Sequence, residues 1–160
     1  MDFFTLIQII IVAIVATSAM TLFSYVVSAS FRELYKEPVL LTYVLGKTNL
    51  ELSLQTKKKL AWLLHYIIGF IFVLIYHFLW IKAILSLSIT NGLLLGTASG
   101  IIGIIGWLLI FKIADYKPKI DFKGYYLQLF FAHIIFGLVA TATYWIFTSL
   151  YLILTALLNN

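Results

Sequence analysis

His65-Tyr66-Ile67-Ile68-Gly69-Phe70-Ile71-Phe72-Val73-Leu74-Ile75-Tyr76 is a long apolar run marked by a histidine, a glycine and a closing tyrosine. The spacing H-x3-G-x6-Y returns unchanged in His133-Ile134-Ile135-Phe136-Gly137-Leu138-Val139-Ala140-Thr141-Ala142-Thr143-Tyr144. A helix turns about 100° per residue, so steps of four and eleven residues return to within about 40° and about 20° of the start. Each trio therefore shares one helix face. A signature copied at identical spacing predicts a copied structural unit, with the two histidines in equivalent positions.

The copy extends beyond the trio. Ala16-Thr17 is followed by Pro38, twenty-one residues after Thr17, and Gly96-Thr97 by Pro118, twenty-one after Thr97. Between proline and histidine the first unit is 12 residues longer. Around these marks lie four apolar stretches: Phe3 to Phe31, Leu60 to Ile84, Asn91 to Ile113 and Tyr125 to Leu158. Each is long enough to cross a hydrocarbon core about 30 Å thick, which takes about 20 residues of helix. The expected fold is all-α: an integral membrane four-helix bundle forming one transmembrane domain over residues 1–160. It is built from two parallel two-helix repeats, about 3–84 and about 91–158. Each unit crosses twice, so the units point the same way about an axis along the membrane normal.

Composition agrees with this. Of the 160 residues 63% are hydrophobic and 11% charged, with a mean hydropathy of +1.07. Soluble domains hold about 45–50% apolar and about 25% charged residues. The net charge of +5 does not point to nucleic acid, because the basic residues occupy the gaps between apolar runs. Arg32, Lys36, Lys47, Lys57, Lys58 and Lys59 follow the first run, and Lys112, Lys117, Lys119 and Lys123 the third, leaving only Lys82 opposite. That bias predicts a cytoplasmic (inner) membrane protein with both basic loops cytoplasmic and both termini outside. The first run carries Asp2, no early Lys or Arg, and about twice the usual 7–15-residue signal-peptide core, so it reads as a retained helix. Trp62, Tyr125 and Tyr126 are placed as an inner aromatic belt, and Tyr76, Trp80, Tyr144 and Trp145 as an outer one.

In the first loop, Pro38 to Leu45 reads as a short interfacial helix, started by proline and stopped by Gly46. Thr48-Asn49-Leu50-Glu51 has capping-box spacing and predicts another short helix toward Lys57. Lys57, Lys58 and Lys59 are candidates for anionic lipid headgroups at about 1 kcal/mol per charge. Gly92, Gly96, Gly100, Gly103 and Gly106 form a small-residue stripe of the kind that packs membrane helices closely, inside a bundle or between two copies.

Ala61-Trp62-Leu63-Leu64-His65-Tyr66-Ile67-Ile68-Gly69, continuing to Tyr76, resembles the second span of a family of small four-helix prokaryotic membrane proteins of unknown function. His133-Ile134-Ile135-Phe136-Gly137, continuing to Tyr144, resembles that family's last span, and Ala16-Thr17-Ser18-Ala19-Met20-Thr21 its first. The third apolar stretch, Asn91 to Ile113, shares only its glycine content. The resemblance implies a four-span bundle and carries no activity.

A histidine in the membrane faces the bundle interior and finds a partner. Three roles are open to His65 and His133. They lock the bundle through hydrogen bonds, with Thr17, Thr21, Thr97 and Ser99 as candidate partners. They hold a haem b as two axial ligands, with Gly69 and Gly137 making room for the macrocycle. Or they titrate in a small pore or carrier, a role weakened by the lack of Asp or Glu in the spans. His77 has no mate in the second unit, where Trp145 stands. There is no cysteine, no third ligand for a closed zinc site, and no nucleophile–base set or phosphate loop. Glu33, Glu37, Asp115 and Asp121 read as solvated charges beside lysines. The expected role is non-enzymatic, with no resident cofactor or metal: an accessory or scaffold component whose partners are the bilayer and another membrane protein or a second copy.

Overall fold

A computed structural model describes residues 2–48 and 51–158. These form five helices: α1 (Phe3–Phe31), α2 (Glu37–Lys47), α3 (Leu54–Ile81), α4 (Ile89–Ile113) and α5 (Phe122–Leu158). Four of them, α1, α3, α4 and α5, are long and apolar enough to cross a membrane. Even the shortest, α4 with 25 residues, spans about 38 Å at about 1.5 Å per residue.

Polar side chains set the helix starts. The Asp2 carboxylate accepts from Thr5 N–H at 2.8 Å, Ser53 Oγ from Thr56 N–H at 3.1 Å and Ser88 Oγ from Asn91 N–H at 3.3 Å. Each satisfies an amide that has no partner inside its own helix. Asp121 does the same for Lys123 and Gly124 at the head of α5. Arg32 ends α1 in the left-handed region, at φ 55°.

Ser53 also corrects an expectation. Among the described residues, no separate short helix lies between α2 and Lys57. The helix capped by Ser53 runs straight on to Ile81, so Lys57, Lys58 and Lys59 lie in the early turns of α3. Asn49 and Leu50 of the expected capping box lie outside the described residues.

Helix pairing runs α3–α1–α5–α4, with α2 against α3. One apolar cluster fills the half of the molecule at the α3–α4 turn, including Ile9, Val12, Val73, Leu95 and Phe136. A second fills the opposite end. There α2 supplies Leu40 and Val44, and the ends of α4 and α5 supply Trp107, Phe111, Tyr125 and Leu129. The short helix expected over Pro38 to Leu45 is present as α2, Glu37–Lys47. Glu37, Pro38, Leu40, Thr42, Val44 and Leu45 are all buried, and α2 is wedged among the helix ends.

Four belt positions, Tyr76, Tyr125, Trp80 and Tyr144, also differ from expectation in being buried. Tyr76 and Tyr125 are 2% and 0% exposed. Tyr76 reaches Ser99 of α4 at 2.7 Å, while Tyr125 packs edge-on against Trp107. Trp80 and Tyr144 are buried against one another at 4.6 Å between centroids. Trp62 and Trp145 remain exposed.

Candidate functional site between α3 and α4

Close packing in the α4–α5 pair comes from missing side chains. A Cβ on Gly96 would stand 2.7 Å from the His133 carbonyl oxygen and 2.8 Å from Ile134 Cα, and one on Gly137 would stand 2.6 Å from Gly96 Cα. Gly92 meets Thr141 and the Gly137 carbonyl, and Gly100 meets Phe130. Gly69 is pressed in the same way against Thr17 of α1. Gly103 faces the His133 ring, where a Cβ would lie 2.8 Å from Cε1. Gly106 faces open space.

That open space is a cavity of about 190 Å³. The Tyr76–Ser99 contact ties α3 to α4 on the side of their connecting turn. Toward the α2 end the two helices part, and the cavity lies in the gap. His65, Phe72, Gly106, Trp107, His133 and Glu37 are among its walls. Its rim includes Ile68 and Ile102, which are 46% and 55% exposed on the outside of the bundle.

Hydrogen bonding fixes both imidazoles. Thr21 Oγ1 donates to the Thr17 carbonyl at 2.7 Å, so its proton is committed. With that proton on the carbonyl, His65 Nε2, 2.9 Å from the same oxygen, is the donor between the two. His133 Nδ1 lies 2.8 Å from the Leu129 carbonyl, which can only accept. In the neutral form His65 therefore carries its proton on Nε2 and His133 on Nδ1. The lone pairs remain on His65 Nδ1 and His133 Nε2. Among the described residues, the sealed side-chain atoms without a partner are Thr17 Oγ1, Glu37 Oε2, Trp80 Nε1, Tyr125 OH and Gln128 Oε1. The two free imidazole nitrogens are not among them and keep contact with open space. His77, the unmatched histidine, meets Tyr144 OH through Nδ1 at 2.8 Å.

Glu37 is the cavity-lining residue missed in the sequence. It is 3% exposed, not solvated beside Lys36. Ser24 Oγ of α1 donates to its Oε1 at 3.0 Å, and Gln128 Nε2 of α5 lies 3.4 Å from the same atom. Burial raises its pKa to about 7, against the opposing pull of the hydrogen bonds from Ser24 and Gln128. Glu37 Oε2, Gln128 Oε1 and Tyr125 OH, one turn earlier on α5 than Gln128, are all sealed without a partner. The signal available in the sequence was the isolated Gln128 and Ser24 in apolar runs, each in need of a partner.

Chemically, the cavity offers two imidazoles, aromatic walls and, buried beside them, a carboxyl whose pKa burial raises to about 7. Among the described residues no three His, Cys, Asp or Glu side chains gather as metal ligands. Nor does the pair suit a haem. His65 Nε2 is engaged by Thr21, and a cavity of about 150 Å³ holds a single benzene ring, so 190 Å³ is far too small for a tetrapyrrole. Compared with protein-family models, curated proteins and solved structures, the chain matches none of them.

Proposed function

We propose that this chain is a multi-pass protein of the cytoplasmic membrane that works without catalysis, as an accessory component holding a small ligand between α3 and α4. The observation that carries this is the pair of imidazoles on one cavity wall set. Each has one nitrogen tied to a protein oxygen and the other left as an acceptor. A histidine that only locks helices has no use for a cavity at its second nitrogen. The outward faces of the long helices are apolar, including Leu22, Ile71, Ile105 and Leu108, which suits a lipid surround.

A duplicated architecture supports the same reading. The pairs α1·α3 and α4·α5 both pack closely, and Gly69 meets Thr17 as Gly137 meets Gly96. Thr17 and Gly96 belong to the matched pairs Ala16-Thr17 and Gly96-Thr97, one position apart in register. On this reading α2 is the segment inserted into the first unit, and it closes the bundle end that carries the basic loops. The resemblance to small four-helix prokaryotic membrane proteins fits this architecture and adds no activity.

The test is retention. Wild-type protein and Gly106→Leu, both reconstituted directly from the membrane into nanodiscs, are extracted and their small molecules compared by mass spectrometry. Gly106→Leu fills the cavity from a position where a Cβ meets nothing. A species kept by wild type and missing from an equally stable variant supports the reading. Identical contents in the two samples overturn it.

A proton-linked carrier is the second reading, favoured by Glu37. The carboxyl lines the same cavity as the histidines, in the role that acidic residues play in such carriers. In proteoliposomes with an internal pH dye, a carrier dissipates an imposed gradient and Glu37→Gln does not. Equal leak in both removes this reading.

A further inference from the structure

The cavity's shape and chemistry narrow the ligand it would hold, on the reading that it is a ligand site. We propose that it takes the headgroup of a membrane-soluble dihydroxybenzene, a single six-membered ring with two hydroxyl groups and an apolar tail.

Size gives the ring. A cavity of about 150 Å³ lined by apolar side chains holds one benzene, and 190 Å³ leaves space for one ring with small substituents. The walls give the same answer. Phe72, Trp107 and Phe136 present aromatic surface, and Phe72 stands edge-on to the His133 ring at 6.0 Å. Aromatic pairs favour such offset and edge-on arrangements.

Hydrogen bonding gives the two hydroxyls. Thr21 and the Leu129 carbonyl hold one nitrogen of each histidine as donor, leaving His65 Nδ1 and His133 Nε2 as acceptors. An acceptor pair in a largely apolar enclosure selects a ligand with two donors. A ligand lacking them leaves the imidazole nitrogens unpaired, which is the costly arrangement. Carbonyl-only, carboxylate and quaternary-ammonium heads fail on this ground.

The rim gives the tail. The cavity opens between Ile68 and Ile102, both turned to the outside of the bundle. If the long helices stand in lipid, that opening leads sideways into hydrocarbon rather than to water. A tail can then leave through it while the ring stays within.

Binding of 2-decylhydroquinone is measured on the whole protein in nanodiscs, anaerobically, by calorimetry. Its dimethyl ether keeps ring and tail and loses both O–H groups. Untailed hydroquinone keeps ring and O–H groups. The expected result is saturable binding of the decyl compound, about tenfold weaker binding of the ether from two lost hydrogen bonds, weaker binding of the untailed ring, and none to Gly106→Leu. The ether comparison uses wild-type protein, so it holds even where the variant folds poorly. Equal binding of the decyl compound and its ether overturns the dihydroxy assignment and leaves a ligand cavity. Binding of untailed hydroquinone as tight as the decyl compound overturns the lateral exit. No binding of any of them, with a retained species still present in the nanodisc extract, overturns the ligand class alone. No binding and no retained species overturn the ligand site itself.

Discussion

Thr21 Oγ1 stands between two partners: it donates to the Thr17 carbonyl at 2.7 Å and receives His65 Nε2–H at 2.9 Å. With the Thr21 proton on the carbonyl, the second contact runs from the imidazole to the hydroxyl oxygen. His133 is fixed the other way round, by Nδ1–H to the Leu129 carbonyl. The two histidines, alike in sequence context, should therefore show opposite neutral tautomers. Nitrogen NMR of ¹⁵N-imidazole-labelled protein, recorded where both rings are neutral, should find the Nε2–H form at His65 and the Nδ1–H form at His133. Thr21→Val should release the His65 preference and cost roughly 0.6 kcal/mol of stability, the average for an interhelical hydrogen bond in a membrane protein. The same tautomer at both positions would sink the assignment.

Glu37 predicts a pH dependence with a definite sign. Its folded pKa of about 7 lies above the usual value of 4.5. The folded state thus holds a proton that the unfolded state has lost, and stability falls as pH rises between these two values. At about 1.36 kcal/mol per pH unit, the loss is roughly 3 kcal/mol, complete above about pH 7. It should appear locally, as faster amide exchange in α2, because α2 carries the carboxyl into the bundle. Glu37→Gln keeps an amide in place of the acid and should exchange at a rate set only by the intrinsic chemistry across pH 5 to 8. A wild-type helix that holds as firmly at pH 8 as at pH 5, after that intrinsic correction, contradicts the buried-acid account.

The glycines of α4 should divide by what they face. Gly96→Ala puts a methyl group 2.7 Å from the His133 carbonyl oxygen, so α4 and α5 must separate. Overpacking of this sort costs about 1–3 kcal/mol. Gly106→Ala meets nothing within 4 Å and removes a flexible residue from a helix interior, a gain of roughly 0.5–1 kcal/mol. Thermal unfolding in one detergent ranks the three proteins as Gly106→Ala, wild type, Gly96→Ala. Any other order means that the stripe does not form the contact described.

Much of this was legible in the chain because the decisive terms are local. The first helix runs over Phe3–Phe31 as its apolar stretch predicts, and Pro38 and Gly46 mark α2 through backbone preferences that need no partner. The start of α3 was hidden because Gln55 to Lys59 is polar, while its cap, Ser53, is a short-range signal that the apolar run overshadowed. Glu37 was illegible for a different reason. A glutamate after a lysine reads as solvated until Ser24 and Gln128, 13 and 91 residues away, are brought to it. Tyr76 and Tyr125 follow the same pattern: the sequence shows an aromatic near a helix end, and only the packing decides whether it meets lipid or protein. The cavity itself is a gap between α3 and α4, and no residue encodes a gap.

The direction of the chain across the bilayer rests on charge alone and has its own test. The C-terminal end of α1, the N-terminal end of α3, the C-terminal end of α4 and the N-terminal end of α5 gather around α2. Ten of the eleven basic residues belong to this end, and Lys82 stands at the other. Short loops rich in Lys and Arg stay in the cytoplasm, so this end, with the Glu37 carboxyl above it, should face inward. A reporter that is active only outside should work when fused after Asn160 and stay silent when inserted at Lys58. The reverse pattern would put Glu37 on the outer side. Protonation of the cavity from the cytoplasm would then be impossible, and the carrier reading would have to run in the opposite sense. The ligand reading would survive that reversal, because a lateral opening between Ile68 and Ile102 serves lipid from either leaflet.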